Sequence, residues 1–135
     1  MKQGRVARPA ISLAILTLLG PACATQRSHL DRAQRHYEEN EYEQALLILE
    51  ILEPERLSLT DTERSRYAYL RGITELRLQN EGEARHWLAL AVALGQLYPD
   101  SLPKDWEVRA AQVLAQLNER VFEDVKRRRI APDTR

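Results

Sequence analysis

Two nine-residue stretches, Tyr37-Glu-Glu-Asn-Glu-Tyr-Glu-Gln-Ala45 and Leu76-Arg-Leu-Gln-Asn-Glu-Gly-Glu-Ala84, lie 39 residues apart and follow one pattern. Each closes a segment of helical periodicity, passes through a polar corner containing Asn, and places an acid one or two residues before a small Ala. Apolar residues at helical spacing continue on both sides of each corner. The two stretches therefore predict two similar helix–turn–helix units in tandem.

The residues around these corners extend the similarity. Ala33 and Gly72 each stand twelve residues before the Ala of their corner, and Leu49 and Leu88 each stand four residues after it. This pattern resembles tetratricopeptide repeats, in which small residues let paired helices pack closely. The resemblance implies a short α-solenoid of about two repeats plus a C-terminal capping helix, and an unrelated five-helix bundle is the alternative. The positions that it assigns to repeat packing are Ala33, Ala45, Gly72, Ala84 and Ala91.

Composition and apolar spacing predict an all-α protein with one domain. Apolar residues make up 44% of the chain and charged residues 30%, with only 5 Gly and 6 Pro, which suits a folded helical protein. Since the copies are 39 residues apart and about 34 is typical, an insertion of about five residues is expected around Glu55–Leu59. Ser28 is expected to cap the first helix, and Thr60 and Glu63 to form a capping box for the third. The first helix is predicted to end at about Glu39, and the third near Gln79-Asn80. The predicted ranges of the second, fourth and fifth helices are Tyr42–Glu53, Gly82–Leu97 and Pro103–Lys126.

The fifth helix is predicted to bury a stripe along its whole length. Core packing is also expected for Trp87 and Trp106, with a partner surface as the alternative for either. The predicted stripe consists of Trp106, Ala110, Val113, Leu114, Leu117, Val121 and Val125.

The first 22 residues have the three parts of an export signal. Lys2, Arg5 and Arg8 form a basic start without an acid, an apolar run spans 11–19, and small residues surround Cys23. The apolar run is about half of the roughly 20 residues that a membrane-spanning helix needs. We therefore expect an exported chain with no permanent transmembrane helix.

Cys23 decides how the signal would be processed. The stretch Leu19-Gly20-Pro21-Ala22-Cys23 resembles a lipobox, although Gly20 stands where Leu is usual. The resemblance implies that Cys23 is lipidated and that residues 23–28 form a tether. Because Ala24 is not acidic, it also favours an outer-membrane lipoprotein facing the periplasm. The alternative is cleavage after Ala24, which would release a soluble periplasmic protein.

The remaining chain shows no pattern for catalysis, metal or cofactor binding. With 17 basic and 20 acidic residues after the leader, a net charge of −3, a nucleic-acid partner is not expected. His29 and His36 are seven residues apart, but two histidines with no nearby Cys make an incomplete metal site. No nucleophile elbow or phosphate-binding glycine loop occurs. We therefore predict a protein that is not an enzyme.

The repeat resemblance implies a binding function instead. Such solenoids bind extended or helical segments on the face formed by the first helix of each repeat. The expected function is an envelope-anchored adaptor, scaffold or pilotin-like assembly factor for another envelope protein, and the alternative is a structural subunit of a larger envelope complex. The groove positions that the resemblance implies are Gln34, Tyr37, Glu38, Tyr69, Ile73 and Arg77.

The stretch Lys126-Arg-Arg-Arg129 is the most concentrated cluster of charge. The helical domain is expected to span residues 29–126, and a basic flexible tail to span residues 127–135. The cluster is typical of a helix end, where cations complement the helix dipole. The alternative is contact with anionic lipid head groups or cell-wall polymer.

Overall fold

The computed structural model describes residues 22–130, and within this range it is all-α, as predicted. Five α-helices and one 3-10 helix follow one another without a strand in the described part of the chain. No helix within this range is both long and apolar enough to cross a bilayer. The elements are α1 (Ala22–Glu38), α2 (Tyr42–Leu52), the 3-10 helix (Glu53–Ser58), α3 (Asp61–Arg77), α4 (Glu81–Leu97) and α5 (Lys104–Ile130).

The helices pack as two antiparallel hairpins, α1 with α2 and α3 with α4, and α5 packs against α4 and α3. Contacts between α1 and α3 advance in the same direction along both helices, from Gln34 with Arg66 to Tyr37 with Arg77. α5 runs antiparallel to α4, because Glu107 near its start lies beside Gly95 near the end of α4, and Arg120 further along pairs with Glu81 at the first residue of α4. The helices α1, α3 and α5 are therefore roughly parallel and form one layer.

The corners of the two hairpins have the same backbone geometry. Asn40 and Gln79 adopt left-handed φ angles of 63° and 64°. The next amide in each corner, at Glu41 and at Asn80, donates to the carbonyl five residues earlier, at 2.8 and 2.9 Å. This bond closes the end of the preceding helix. The tandem similarity that the sequence predicts is thus present in the hydrogen bonds of the backbone.

Small residues lie where the helices pack closely together. Gly72 of α3 faces Leu88 of α4 so closely that no side chain fits there. The residues predicted to support repeat packing are all buried: Ala33, Ala45, Gly72, Ala84 and Ala91. The insertion expected near Glu55–Leu59 forms the 3-10 helix, and the predicted capping box of Thr60 and Glu63 is present at the start of α3.

A buried ion pair lies between α2, α3 and α4. Arg71 donates to Glu75 at 3.0 Å, and their side chains are 8% and 3% exposed. The Arg71 guanidinium also lies 5.6 Å from the centroid of the buried Trp87 ring. Beside it, the Tyr67 hydroxyl donates to the Leu49 carbonyl at 3.1 Å. Core packing, the expected role of Trp87, is confirmed.

The first helix begins earlier than predicted. α1 starts at Ala22, so Ser28 lies inside the helix and does not cap it, and residues 25–28 are helical. The side chain of Gln26 is buried and donates to Glu55 and Ser58, both at 3.0 Å. These contacts with the 3-10 helix explain why the polar segment Thr25–Ser28 joins the helix.

The fifth helix extends beyond the rest of the fold. α5 has 27 residues, whereas α1, α3 and α4 have 17 each, and ten further residues add about 15 Å. Because α4 begins at Glu81, opposite Arg120, no other part of residues 22–130 covers the stripe after that point. The prediction that Val121 and Val125 are buried is therefore wrong; they are 41% and 43% exposed. Residues 127–130, predicted as a flexible tail, are helical, and residues 131–135 lie outside the described range.

The predicted export signal lies outside the described residues apart from Ala22, and the Cys23 side chain lies outside them as well. Lipidation of Cys23 therefore stays a prediction. The backbone does place residue 23 at the start of α1. Since α1 and α5 are roughly parallel, residue 23 and the free end of α5 lie at opposite ends of the helical layer.

Candidate functional site

A cleft of about 160 Å³ opens on the layer formed by α1, α3 and α5. Five of the six positions predicted to line a groove border this cleft together. The sixth, Arg77, lies beside it, with its guanidinium 5.9 Å from the centroid of the Tyr42 ring. The residues that line the cleft are Gln34, Tyr37, Glu38, Tyr69, Leu70, Ile73, Trp106 and Arg109.

Aromatic rings form the floor and one wall of the cleft. Tyr69 is buried, and its ring stacks on Trp106 with centroids 4.3 Å apart and planes 18° from parallel. Burial raises the pKa of the Tyr69 hydroxyl, and nearby Arg109 opposes this shift. Trp106 itself is half-buried. The cleft therefore offers a rigid aromatic surface that a partner side chain could contact.

A chain of hydrogen bonds holds the α1 side of the cleft. The Gln34 amide donates to Glu38 at 2.7 Å, and its carbonyl oxygen accepts from Arg66 at 2.7 and 3.2 Å. Arg66 also pairs with Asp31 at 2.7 Å. Because Arg66 belongs to α3, these bonds set the spacing between α1 and α3. Gln34 therefore positions the cleft as well as lining it.

Two arginines converge on Tyr37 at the other end of the cleft. Arg109 donates to the Tyr37 hydroxyl at 3.5 Å. Tyr37 raises the pKa of the Arg77 guanidinium, chiefly through a side-chain hydrogen bond. Neither arginine pairs with a carboxylate among the described residues. This end of the cleft is consequently suited to a ligand that carries negative charge.

Besides Leu70 of α3, two residues of α5 line the cleft outside the predicted groove positions: Arg109, which the repeat pattern does not indicate, and Trp106, which is expected in the core with a partner surface as the alternative. Both lie in the first turns of α5, and which residues of α5 reach α3 depends on how the two helices pack. The sequence feature that indicates a contribution from α5 is Trp106, an aromatic residue near the start of a third parallel helix. The structure thus adds a third wall to a groove that the repeat pattern predicts from two helices.

A second polar group lies at the corner between α1 and α2. His36, Glu39 and Glu41 bring potential ligand atoms within 4.8 Å of one another. The His36 Nδ1 atom lies 2.5 Å from a Glu41 oxygen, so a direct hydrogen bond already accounts for their proximity. Both glutamates are exposed. Such groups are common at helix ends, where acids favour the start of the following helix.

A larger cavity of about 310 Å³ lies between α4 and α5 on the other side of the molecule. Its walls are formed by Val92, Gly95 and Gln96 of α4 and by Glu107 and Ala111 of α5. No aromatic side chain lines it. It therefore lacks the combination of stacked rings and unpaired cations found in the cleft.

Comparison of the chain with protein-family models, with characterised proteins and with solved structures finds no match.

Proposed function

We propose that this chain is an envelope-anchored protein-interaction module that binds a segment of another protein in the cleft between α1, α3 and α5. The observation that carries the proposal is the convergence of positions from three helices on one aromatic cleft, with Arg109 in its lining and Arg77 beside it, neither paired with a carboxylate among the described residues. Aromatic residues such as the half-buried Tyr37 and Trp106, together with arginines, are the residue types that dominate protein interfaces. The repeated corners favour a tetratricopeptide-like solenoid, a fold that presents such clefts.

The cleft also suggests what the bound segment contains. The cleft runs between roughly parallel helices, so its width suits an extended or helical segment of a partner protein. Trp106 and Tyr37 offer apolar faces, and Arg77 and Arg109 offer donors to a carboxylate. We therefore expect a partner segment with an apolar side chain near an acidic group.

Site-specific photo-crosslinking in intact cells tests the proposal. A photoreactive residue replaces Glu38, which borders the cleft, and a matched variant carries it at Glu83, an exposed acid in the first turn of α4. We expect one defined protein adduct from position 38, which Arg109→Gln weakens, and no such adduct from position 83. Identical products from both positions would contradict the proposal.

The anchoring half of the proposal depends on Cys23. We propose an outer-membrane lipoprotein that faces the periplasm, with the soluble periplasmic form as the alternative. Mass spectrometry of the processed N-terminus, with and without Cys23→Ser, distinguishes them. A diacylglyceryl-modified Cys23 supports the anchor, and an unmodified chain that begins at Thr25 rules it out.

A structural subunit of a larger complex is the second candidate, and exposed apolar residues on α2 favour it. Leu47 and Ile51 lie one helical turn apart, and each is 58% exposed; Leu57 nearby is 77% exposed. Cooperative melting of the processed chain as a stable monomer would favour the interaction module. Aggregation or the absence of a cooperative transition would favour the subunit.

A further inference from the structure

The last ten residues of α5, Val121 to Ile130, form an exposed helix with two distinct sides, and we term this segment the α5 extension. Phe122 and Ile130 are 68% and 69% exposed, and Val121 and Val125 are about two-fifths exposed. Phe122, Val125 and Ile130 line a shallow groove of about 230 Å³ together with Lys126 and Arg129. Apolar and cationic side chains are thus neighbours on one side of the helix.

The acids of this helix lie away from Phe122 and Val125. At 100° per residue, Glu123 and Asp124 each lie at least about 100° from both Phe122 and Val125 around the helix, whereas Ile130, about two turns further on, lies about 20° from Glu123. Asp124 is occupied by Arg127, whose guanidinium lies 2.8 Å away. Lys126, Arg128 and Arg129 pair with no carboxylate among the described residues. The side with Phe122 and Val125 is therefore cationic.

We propose that the α5 extension binds the surface of an anionic lipid bilayer. A helix with exposed apolar groups beside unpaired Lys and Arg is suited to lie in the interface, with its apolar groups among the acyl chains and its cations at the head groups. The long stems of Lys126 and Arg129 cover part of the apolar groove and still reach the head groups. The inference does not depend on what the cleft between α1, α3 and α5 binds.

Other occupants fit this surface less well. Anionic cell-wall polymer would be attracted by the cations but has no use for Phe122 and Ile130. A second copy of the chain would have to bury its contact within a face about 15 Å long and about 10 Å wide, or roughly 150 Å², far below the roughly 800 Å² per partner of a stable interface. It would also bring Arg128 and Arg129 of two copies close together in a parallel pairing. Charge complementarity and the apolar groove together favour lipid.

The position of the α5 extension adds a geometric consequence. It lies at the opposite end of the helical layer from residue 23. The length of α1, about 25 Å, and the length of the extension, about 15 Å, together give a separation of about 40 Å. A chain held in a membrane at Cys23 could therefore engage the same membrane only by lying flat on it. The alternative arrangement reaches a second anionic membrane surface.

Binding to vesicles tests the proposal. The probe is a set of vesicles containing phosphatidylglycerol, compared with vesicles of phosphatidylcholine alone. Every protein is the processed chain with Cys23→Ser, so that no acyl group contributes. We expect binding to the anionic vesicles only, and a loss of about fivefold for each unpaired cation removed. Lys126→Gln, Arg128→Gln and Arg129→Gln combined should weaken binding roughly 100-fold.

Two further comparisons separate the α5 extension from general charge effects. Phe122→Ser with Val125→Ser should reduce vesicle binding at least tenfold, whereas Leu57→Ser, at an equally exposed apolar residue elsewhere, should leave it unchanged. A matched control removes the same charge from exposed residues of α1 and should have little effect on vesicle binding. Its changes are Arg27→Gln, Arg32→Gln and Arg35→Gln.

Three outcomes would overturn the proposal. One is equal loss of binding from the cation changes on α1 and on α5. Another is binding to isolated cell-wall polymer that the Phe122 and Val125 changes leave intact. The third is concentration-dependent dimerisation that these changes abolish, in a chain that does not bind vesicles. Because every changed residue is exposed, each variant should retain the fold. Circular dichroism of each variant checks its helical content.

Discussion

Gly72 of α3 faces Leu88 of α4 with no room for a side chain: a Cβ at Gly72 would lie 2.7 Å from Leu88 Cγ and 3.0 Å from the Leu88 backbone nitrogen. The side-chain atom could move, but the backbone nitrogen belongs to the helix itself. The α3–α4 hairpin therefore depends on glycine at this position.

Gly72→Ala should lower the free energy of unfolding by about 1–2 kcal/mol. The cost of overpacking exceeds the gain of about 1 kcal/mol that Ala brings to a helix. Gly82→Ala is the matched control, because nothing lies within 4 Å of a Cβ there, and it should be neutral or stabilising. Urea denaturation of both variants measures the difference, and equal effects would show that α3 and α4 are not in close contact.

Gln79→Gly should stabilise the chain by about 1 kcal/mol. Gln79 has a φ of 64°, where a side chain is strained and glycine is not. Asn40→Gly at the equivalent corner should gain less, because Asn tolerates this conformation better. Thermal melting of the two variants compares the two gains in stability. A larger gain from Asn40→Gly than from Gln79→Gly would contradict the prediction.

Alkaline pH should destabilise the chain through Tyr67. Burial raises the pKa of the Tyr67 hydroxyl to about 12 from 10.0, with Arg71 opposing the shift. The folded state favours the neutral phenol, so this contribution to stability is complete below pH 10 and is lost progressively as pH rises toward 12. Tyr67→Phe should therefore show a shallower decline in unfolding free energy between pH 10 and 12 than the unmodified chain. Parallel curves for the two proteins would exclude this role for Tyr67.

Removing one partner of the buried ion pair should be costly. Glu75→Gln removes the closest carboxylate of Arg71 but leaves Glu50 and Glu53 at 3.4 and 3.9 Å, so a loss of about 3 kcal/mol is expected, at the low end for a broken buried pair. Arg71→Leu combined with Glu75→Leu should cost less than the two single changes together, because no buried charge then remains unpaired. Glu53→Gln, 3.9 Å from Arg71 and 39% exposed, is the control with little effect. Additive losses in the double-mutant cycle would argue against coupling.

The cleft arginines should affect binding without affecting stability. Arg77→Gln and Arg109→Gln each remove a donor beside Tyr37, and both residues are exposed. We expect weaker crosslinking of the partner from position 38 and an unchanged melting temperature. A lower melting temperature with intact crosslinking would assign these arginines to the fold instead.

Local patterns predict much of this fold from the sequence. The capping box of Thr60 and Glu63 is contained within four residues, and each hairpin corner within nine, so neither depends on distant contacts. Small residues at repeat spacing also predict which positions are buried. The groove positions on α1 and α3 follow from the register of two similar hairpins, and the structure brings five of the six to one cleft.

The errors arise where distant parts of the chain decide the outcome. Ser28 has the features of a helix cap, but contacts of Gln26 with the 3-10 helix extend α1 past it. Val121 continues a core-like stripe, yet its exposure depends on where α4 begins. Arg109 reaches Tyr37 only because of the way α5 crosses α3. Each of these relationships joins residues far apart in sequence, which periodicity alone does not describe.

The central helix α3 contacts every other helix and the 3-10 helix, and residues 67–75 within it are all buried. By contrast, α1 and α5 meet only through side chains such as Arg109 and Tyr37. A pulling force applied between residue 23 and Ile130 would therefore be transmitted through α3. Because α1 packs mainly on α2 and α5 mainly on α4, whereas α3 and α4 form the most extensive pair, the outer helices should detach before α3 and α4 separate. The chain would then lengthen stepwise under tension, so that α3 serves as its mechanical backbone.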